Sequence, residues 1–190
     1  MKFLNELAKV NWRVAVRTYG SFHATLVGLM VAWWNEQRDN HWALEGGPSF
    51  GYRPHGKGGG RCDALLCDSS GPAIVLEVAG NRYTYTLQKI GHFFDAEYPE
   101  LETLHAGILL AYAYGLKVPS VPMEQLVIEG ERIIQQHHDK ALIVVAINKR
   151  YDDYKGIRAR AEYYRGTVSA ISAVEIREGA RKERRVYYQE

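Results

Sequence analysis

Apolar positions recur at helical spacing through the first eighteen residues, so a helix is expected from Lys2 to Thr18, with Gly20 as its breaker. Ser21 can cap a second helix to about Arg38, in which Phe22, Leu26, Leu29 and Trp33 form an apolar stripe. The pattern then dissolves into "EGGPSFGYRPHGKGGG", a Gly/Pro-rich connection with a short strand expected around Ser49 to Arg53. "RCDALLCD" and "AIVLEVAG" are short apolar runs joined by the turn signal "SSGP", which predicts a β-hairpin. In "TYTLQKIGHFFDAEY", Leu87, Ile90 and Phe94 sit at helical spacing. "HAGILLAYAYG" and "ALIVVAINK" read as buried strands on either side of an amphipathic helix that Pro122 opens. The last segment, "VSAISAVEIREGARKERRVYYQE", alternates at period two around Gly179 and predicts a terminal hairpin. The sum is a single α/β domain over residues 1–190.

Composition sharpens this only in places. A chain of 190 residues with 46% apolar residues supports one sizeable core. The formal charge of +2 gives no bulk attraction to nucleic acid. From Lys149 and Arg150 to the end, however, basic residues interleave with Tyr151, Tyr154, Tyr163, Tyr164, Tyr187 and Tyr188. That mixture suits phosphate contact and base packing, and equally a solvated face with amphipathic tyrosines. Cys62 and Cys67, five residues apart on one strand, are expected on opposite faces and so unbridged, which fits a reduced, cytoplasmic protein. The N-terminus lacks the continuous apolar core of a signal peptide, and no uncharged run reaches the roughly 18–20 residues of a membrane span. No membrane partner is expected.

The candidate chemistry lies in the hairpin. If its turn centres near Ser70, Asp63 faces Glu77 and Leu65 faces Val75, with opposed Cβ atoms about 4.5–5.5 Å apart. Two carboxylates so placed repel, and want a proton or a divalent cation between them. The competing reading places both on a solvent-facing side, one residue out of register. Glu36 extends the apolar stripe of the second helix and is the candidate third acid; Glu45 competes with it. Gln88 and Lys89 flank the core stripe of the following helix, where Lys89 could orient water, and Arg82 is a candidate phosphate contact. Gly51 to Lys57 mimics the start of a phosphate-binding loop, but Gly58 replaces the required hydroxyl and a strand follows instead of a helix. The glycines therefore read as a connector in which Lys57 and Arg61 could touch a phosphate backbone.

Asp63 in "RCDALL", Glu77 in "IVLEVAG" and a Gln-bearing helix after them resemble the PD-(D/E)XK nuclease superfamily over about residues 21–149. The resemblance implies a restriction-endonuclease-like αβββαβ core, a mixed central sheet flanked by helices. An extra N-terminal helix precedes that core, and a C-terminal hairpin and basic, aromatic extension over residues 150–190 follow it. It implies Glu36, Asp63 and Glu77 as metal-binding carboxylates, the carbonyl of Val78 as a further ligand, and Mg²⁺ as cofactor with Mn²⁺ as substitute. Gln88 stands where the RecB-like branch has its glutamine, and His92 where that branch has a tyrosine. Two departures are evident: Cys62 replaces the signature proline, and Ala79 occupies the lysine position, which leaves Lys89 as the substitute. The implied activity is Mg²⁺-dependent hydrolysis of DNA, of a restriction or repair type, with a homodimer by analogy. The alternatives are a nuclease-like protein that binds DNA without cutting it, and an assembly domain with no nucleic-acid partner.

Overall fold

The computed structural model describes residues 2–12, 15–16, 19–46, 61–95, 99–113, 120–151 and 166–188. Its elements run α1 (Lys2–Leu7), β1 (Ala15–Val16), α2 (Tyr19–Asn35), β2 (Trp42–Glu45), β3 (Ala64–Asp68), β4 (Gly71–Ala79) and α3 (Tyr83–Asp95). A short 3-10 turn (Pro99–Leu101) leads to β5 (Ala106–Tyr112), α4 (Met123–Gln136), β6 (Ala141–Tyr151), β7 (Gly166–Arg177) and β8 (Ala180–Tyr188). The strands form one mixed sheet in the order β1-β7-β6-β5-β4-β3-β2, with β8 also pairing β7. Strands β4, β5 and β6 are parallel; the pairs β2–β3, β3–β4, β6–β7 and β7–β8 are antiparallel.

The β4–α3–β5–α4–β6 run makes two crossovers, as parallel neighbours require, and puts α3 and α4 together on one face of the sheet. Helix α2 covers the opposite face, where Phe22, Leu26, Met30, Trp33 and Trp34 pack on Ile74, Leu76 and Val78. Strand parity sorts the two cores: Val75 and Ala79 face α3, while their neighbours face α2. Gly107 on β5 permits the close approach of α3, since a Cβ there would stand 2.3 Å from Ile90 Cγ2. Gly130 does the same for α4, where a Cβ would meet Ile176 Cδ1 at 2.6 Å.

The hairpin register agrees with the sequence pattern at Leu65↔Val75, and the turn is Ser69-Ser70. Other expectations need correction. The first helix stops at Leu7, and residues Ala15–Val16 pair instead with Val16↔Gly166 and Ala15↔Thr167, partners 150 residues away that no local pattern displays. Helix α2 begins at Tyr19, before Ser21. The edge strand β2 occupies Trp42–Glu45; the strand expected around Ser49 to Arg53 lies outside the described residues. Alternation holds from Ala64 to Cys67, but Cys62 precedes β3 and the chain leaves the strand pattern at Asp63, so Cys62 and Cys67 share the α3-side core rather than opposite faces, and both are free thiols.

Candidate functional site

Glu77 sits near the carboxyl end of β4, and alternation turns it toward α3. Only 3% of it is exposed. The Lys89 ammonium, from the second turn of α3, stands 2.7 Å from Glu77 Oε1. The ammonium is the polar partner of this buried oxygen, by charge and by hydrogen bonding. Lys89 Nζ also donates to the carbonyl of Arg61, which fixes the side chain across the mouth of the hairpin. Burial dominates the electrostatics. Desolvation, with the charge of Asp63 added, pushes the Glu77 carboxyl up to about 8 against the opposing pull of Lys89. The same desolvation, and then Glu77, push the neighbouring Cys62 thiol to about 12, which leaves it inert as a nucleophile at neutral pH.

Asp63 immediately precedes β3 and is held on all sides. Its N–H donates to the Leu76 carbonyl at 3.2 Å, its carbonyl accepts from Gly46 at 2.8 Å, and its Oδ2 accepts from the Val78 N–H at 2.7 Å. Its Oδ1 lies 3.2 Å from His23 Nε2, on α2. That bond, opposed by partial burial, raises the His23 imidazole above its ordinary 6.5. Asp63 and Glu77 therefore sense each other's charge, yet each has its own cationic partner from a different helix. Beyond β4, the Tyr83 hydroxyl lies 3.0 and 2.9 Å from the carbonyls of Gly80 and Tyr112, shares its one proton between them and pins the start of α3 beside β5.

The structure thus brings Asp63, Glu77 and Lys89 to one end of the hairpin, with Ala79 on the face of Glu77. It does not bring Glu36 there. That residue is exposed just past the end of α2, thirteen residues after His23 and so roughly 20 Å further along the helix axis. Its end of α2 lies by the hairpin turn, where Trp34 Nε1 donates to the Cys67 carbonyl at 2.7 Å. Glu45 is exposed on β2, paired with Ala64. Gln88 is turned away from the site: its Nε2 donates to Glu129 of α4 at 3.0 Å and ties the two helices. Val78 enters through its N–H, as a donor to Asp63. Arg61 and Arg82 are exposed, and Arg82 adopts a positive φ of 51° at the entrance to α3. Lys57 lies outside the described residues; Lys149 and Arg150 lie on β6, with side chains outside the described set. His137 and His138 diverge, His137 toward Asp95 and Phe94 and His138 toward Glu178.

His23 is the residue that pattern reading missed. Its signal was present: Val27, Met30 and Trp34 form a second buried stripe on α2, and stepping back one turn from Val27 gives His23. Among the described residues, no three His, Cys, Asp or Glu side chains converge as a ready metal cluster. The donors that fit a hard cation are the carboxylate oxygens of Asp63 and Glu77, which here meet the Val78 N–H, His23 and Lys89. No helix among the described residues is long and apolar enough to cross a membrane. No protein-family model, curated protein or solved structure matches the chain.

Proposed function

We propose that the protein is a metal-dependent nuclease that hydrolyses phosphodiester bonds of DNA, built on a restriction-endonuclease-like core. The observation that carries this reading is the 2.7 Å approach of Lys89 to Glu77 across a buried site that also senses Asp63. A buried acid on one strand, a second acid on the neighbouring strand and a lysine from the next helix supply the groups such chemistry needs, even though Ala79 removes the lysine from β4. The order α2, three antiparallel strands, α3 and a parallel β5 supports the same core.

Asp63 and Glu77 would hold Mg²⁺, or Mn²⁺ in its place; the ion, when bound, lowers the pKa of water and stabilises charge on phosphoryl oxygens. Asp63 is preoriented for this by the Val78 N–H and His23. Glu77, raised to about 8, keeps its proton at neutral pH unless a cation displaces it. Lys89 is the cation of the chain itself, placed to neutralise negative charge as it develops on the phosphate. Exposed Arg61 and Arg82 flank the opening as backbone contacts. Cleavage of both strands of a duplex requires two such sites, and a homodimer is the assembly this reading carries.

Lys89 as the counter-ion of Glu77 also favours a second reading, in which the protein binds DNA without cutting it. Incubation of plasmid and single-stranded DNA with the protein and Mg²⁺ separates the two. We expect nicking by the native chain and none by Glu77→Gln with DNA affinity retained. Wild-type cleavage rates in Glu77→Gln would refute the nuclease mechanism.

A further inference from the structure

A second polar opening lies at the same end of the sheet. A cleft of about 400 Å³ is walled by Ser120 at the approach to α4, Asn148 on β6, Ser172 on β7 and Arg185 on β8. Glu183 and Arg184 also line it, and Glu183 Oε1 accepts from Arg181 Nη2. The register places Ala79, Ala111, Ala146, Ser172 and Arg185 in a single cross-strand row. Glu77 lies two residues before Ala79 on the same face of the pleat, in the row of Leu109, Val144, Val174 and Glu183, so the acidic site and the arginine cleft both face the α3–α4 side, two residues apart in register. Four interstrand spacings of about 4.8 Å separate β4 from β8, or roughly 19 Å. Ala111 between them is fully buried, so the two openings are separate and only an extended ligand reaches both.

We propose that this cleft binds a backbone phosphate of the same nucleic-acid strand that enters the Glu77 site, with Arg185 as the charged contact and Ser172 and Asn148 as neutral donors. The inference rests on the nucleic-acid reading above. It names the track the strand follows: from the β3–β4 hairpin, across the carboxyl ends of β5 and β6, to β8. Arginine suits phosphate through its planar set of donors, and spacing rather than local charge makes the site selective for a polymer.

The test is binding of fluorescent single-stranded oligonucleotides in EDTA, where no cleavage intervenes, followed over a range of salt. For oligonucleotides on the order of a dozen nucleotides, Arg185→Ala is expected to lower the slope of log affinity against log salt by about 0.7, the value of one phosphate contact on a single strand. Arg185→Glu should lower affinity further. Lys182→Ala, on the opposite face of β8, should leave the slope unchanged, and a dinucleotide should not distinguish wild type from Arg185→Ala. An unchanged slope in both Arg185 variants overturns the cleft, even if the protein cleaves DNA in Mg²⁺. A lowered slope without any cleavage upholds the cleft and sinks the nuclease reading instead. No binding by the wild-type chain overturns the cleft outright.

Discussion

Among the described residues, Glu77 and Glu175 are the acidic side chains buried in this sheet, each only 3% exposed, and their ion pairs differ in where the cation comes from. Glu175 Oε1 accepts from Arg177 Nε at 2.7 Å, two residues along the same strand, and that arginine is largely exposed. Glu77 meets a lysine from another element, and the lysine itself is mostly buried. A local pair of the first kind can be made by a single strand and screened by water. A pair of the second kind exists only when β4, α3 and the start of β3 are assembled, and both of its members are largely buried. Buried charge of this sort is costly to maintain and is characteristic of functional sites. The Glu77–Lys89 pair joins two elements, which suits the site proposed above, whereas the Glu175–Arg177 pair lies within one strand.

The sharpest way to break this contrast is activity. Glu77→Gln should reduce Mg²⁺-dependent cleavage by at least on the order of 10²-fold, while Glu175→Gln should leave the rate of plasmid nicking within the scatter of wild type. Stability comes next. Lys89→Met leaves Glu77 without its cation and should cost about 3 kcal/mol in urea unfolding at a pH well above 8, where the native carboxyl is ionised. Arg177→Met removes an exposed partner and should cost about 1 kcal/mol or less. Combining Glu77→Leu with Lys89→Met should restore most of the first loss, because no charge is then left alone.

Titration separates the two glutamates further. Folded Glu77 keeps its proton up to about 8, whereas the unfolded chain releases it near 4.5. Between those values the folded state binds the extra proton, so its stabilising contribution is complete below 4.5, falls as pH rises and is gone above about 8. The slope contributed is at most about 1.4 kcal/mol per pH unit. Denaturant midpoints should show this decline in wild type and lose it in Glu77→Gln; an identical decline in both would remove Glu77 from the account.

A smaller effect concerns the other half of the site. His23 should titrate above 6.5 by NMR and fall back toward that value in Asp63→Asn, since the Asp63 bond is the largest cause of its elevation. The smallest effect is expected from Glu36→Ala, which sits in solvent at the far end of α2: stability should change by no more than about 0.5 kcal/mol, and cleavage should be unaffected.

Particular residues show why some of this was legible without coordinates. The alternation in "AIVLEVAG" and the "SSGP" turn fix the parity of Glu77 and the pairing of Leu65 with Val75, because both are local consequences of a two-residue period. The stripe Leu87, Ile90 left Lys89 on the flank of α3, within reach of the strand before it. The reach of α2 was not legible in the same way. A helical stripe defines a face but not how far the helix slides along the sheet, so Glu36 looked equivalent to a residue roughly 20 Å away. The partner of Gln88 likewise depends on how α3 and α4 dock, through Gly130 and its neighbours, and not on either helix alone.

By itself, then, the chain determined its longer central elements, the alternation of β4 and the pairing of its central hairpin, since side-chain period and turn chemistry act over a few residues. Assembly alone decided that His23 rather than Glu36 meets Asp63 and that Ala15–Val16 leave the helical pattern to pair with Gly166 and Thr167. It also decided that Arg185 lies on the same face of the sheet as Glu77, two residues apart in register. Those contacts join residues far apart in sequence, and their positions are set by the docking of whole helices and strands on a shared core.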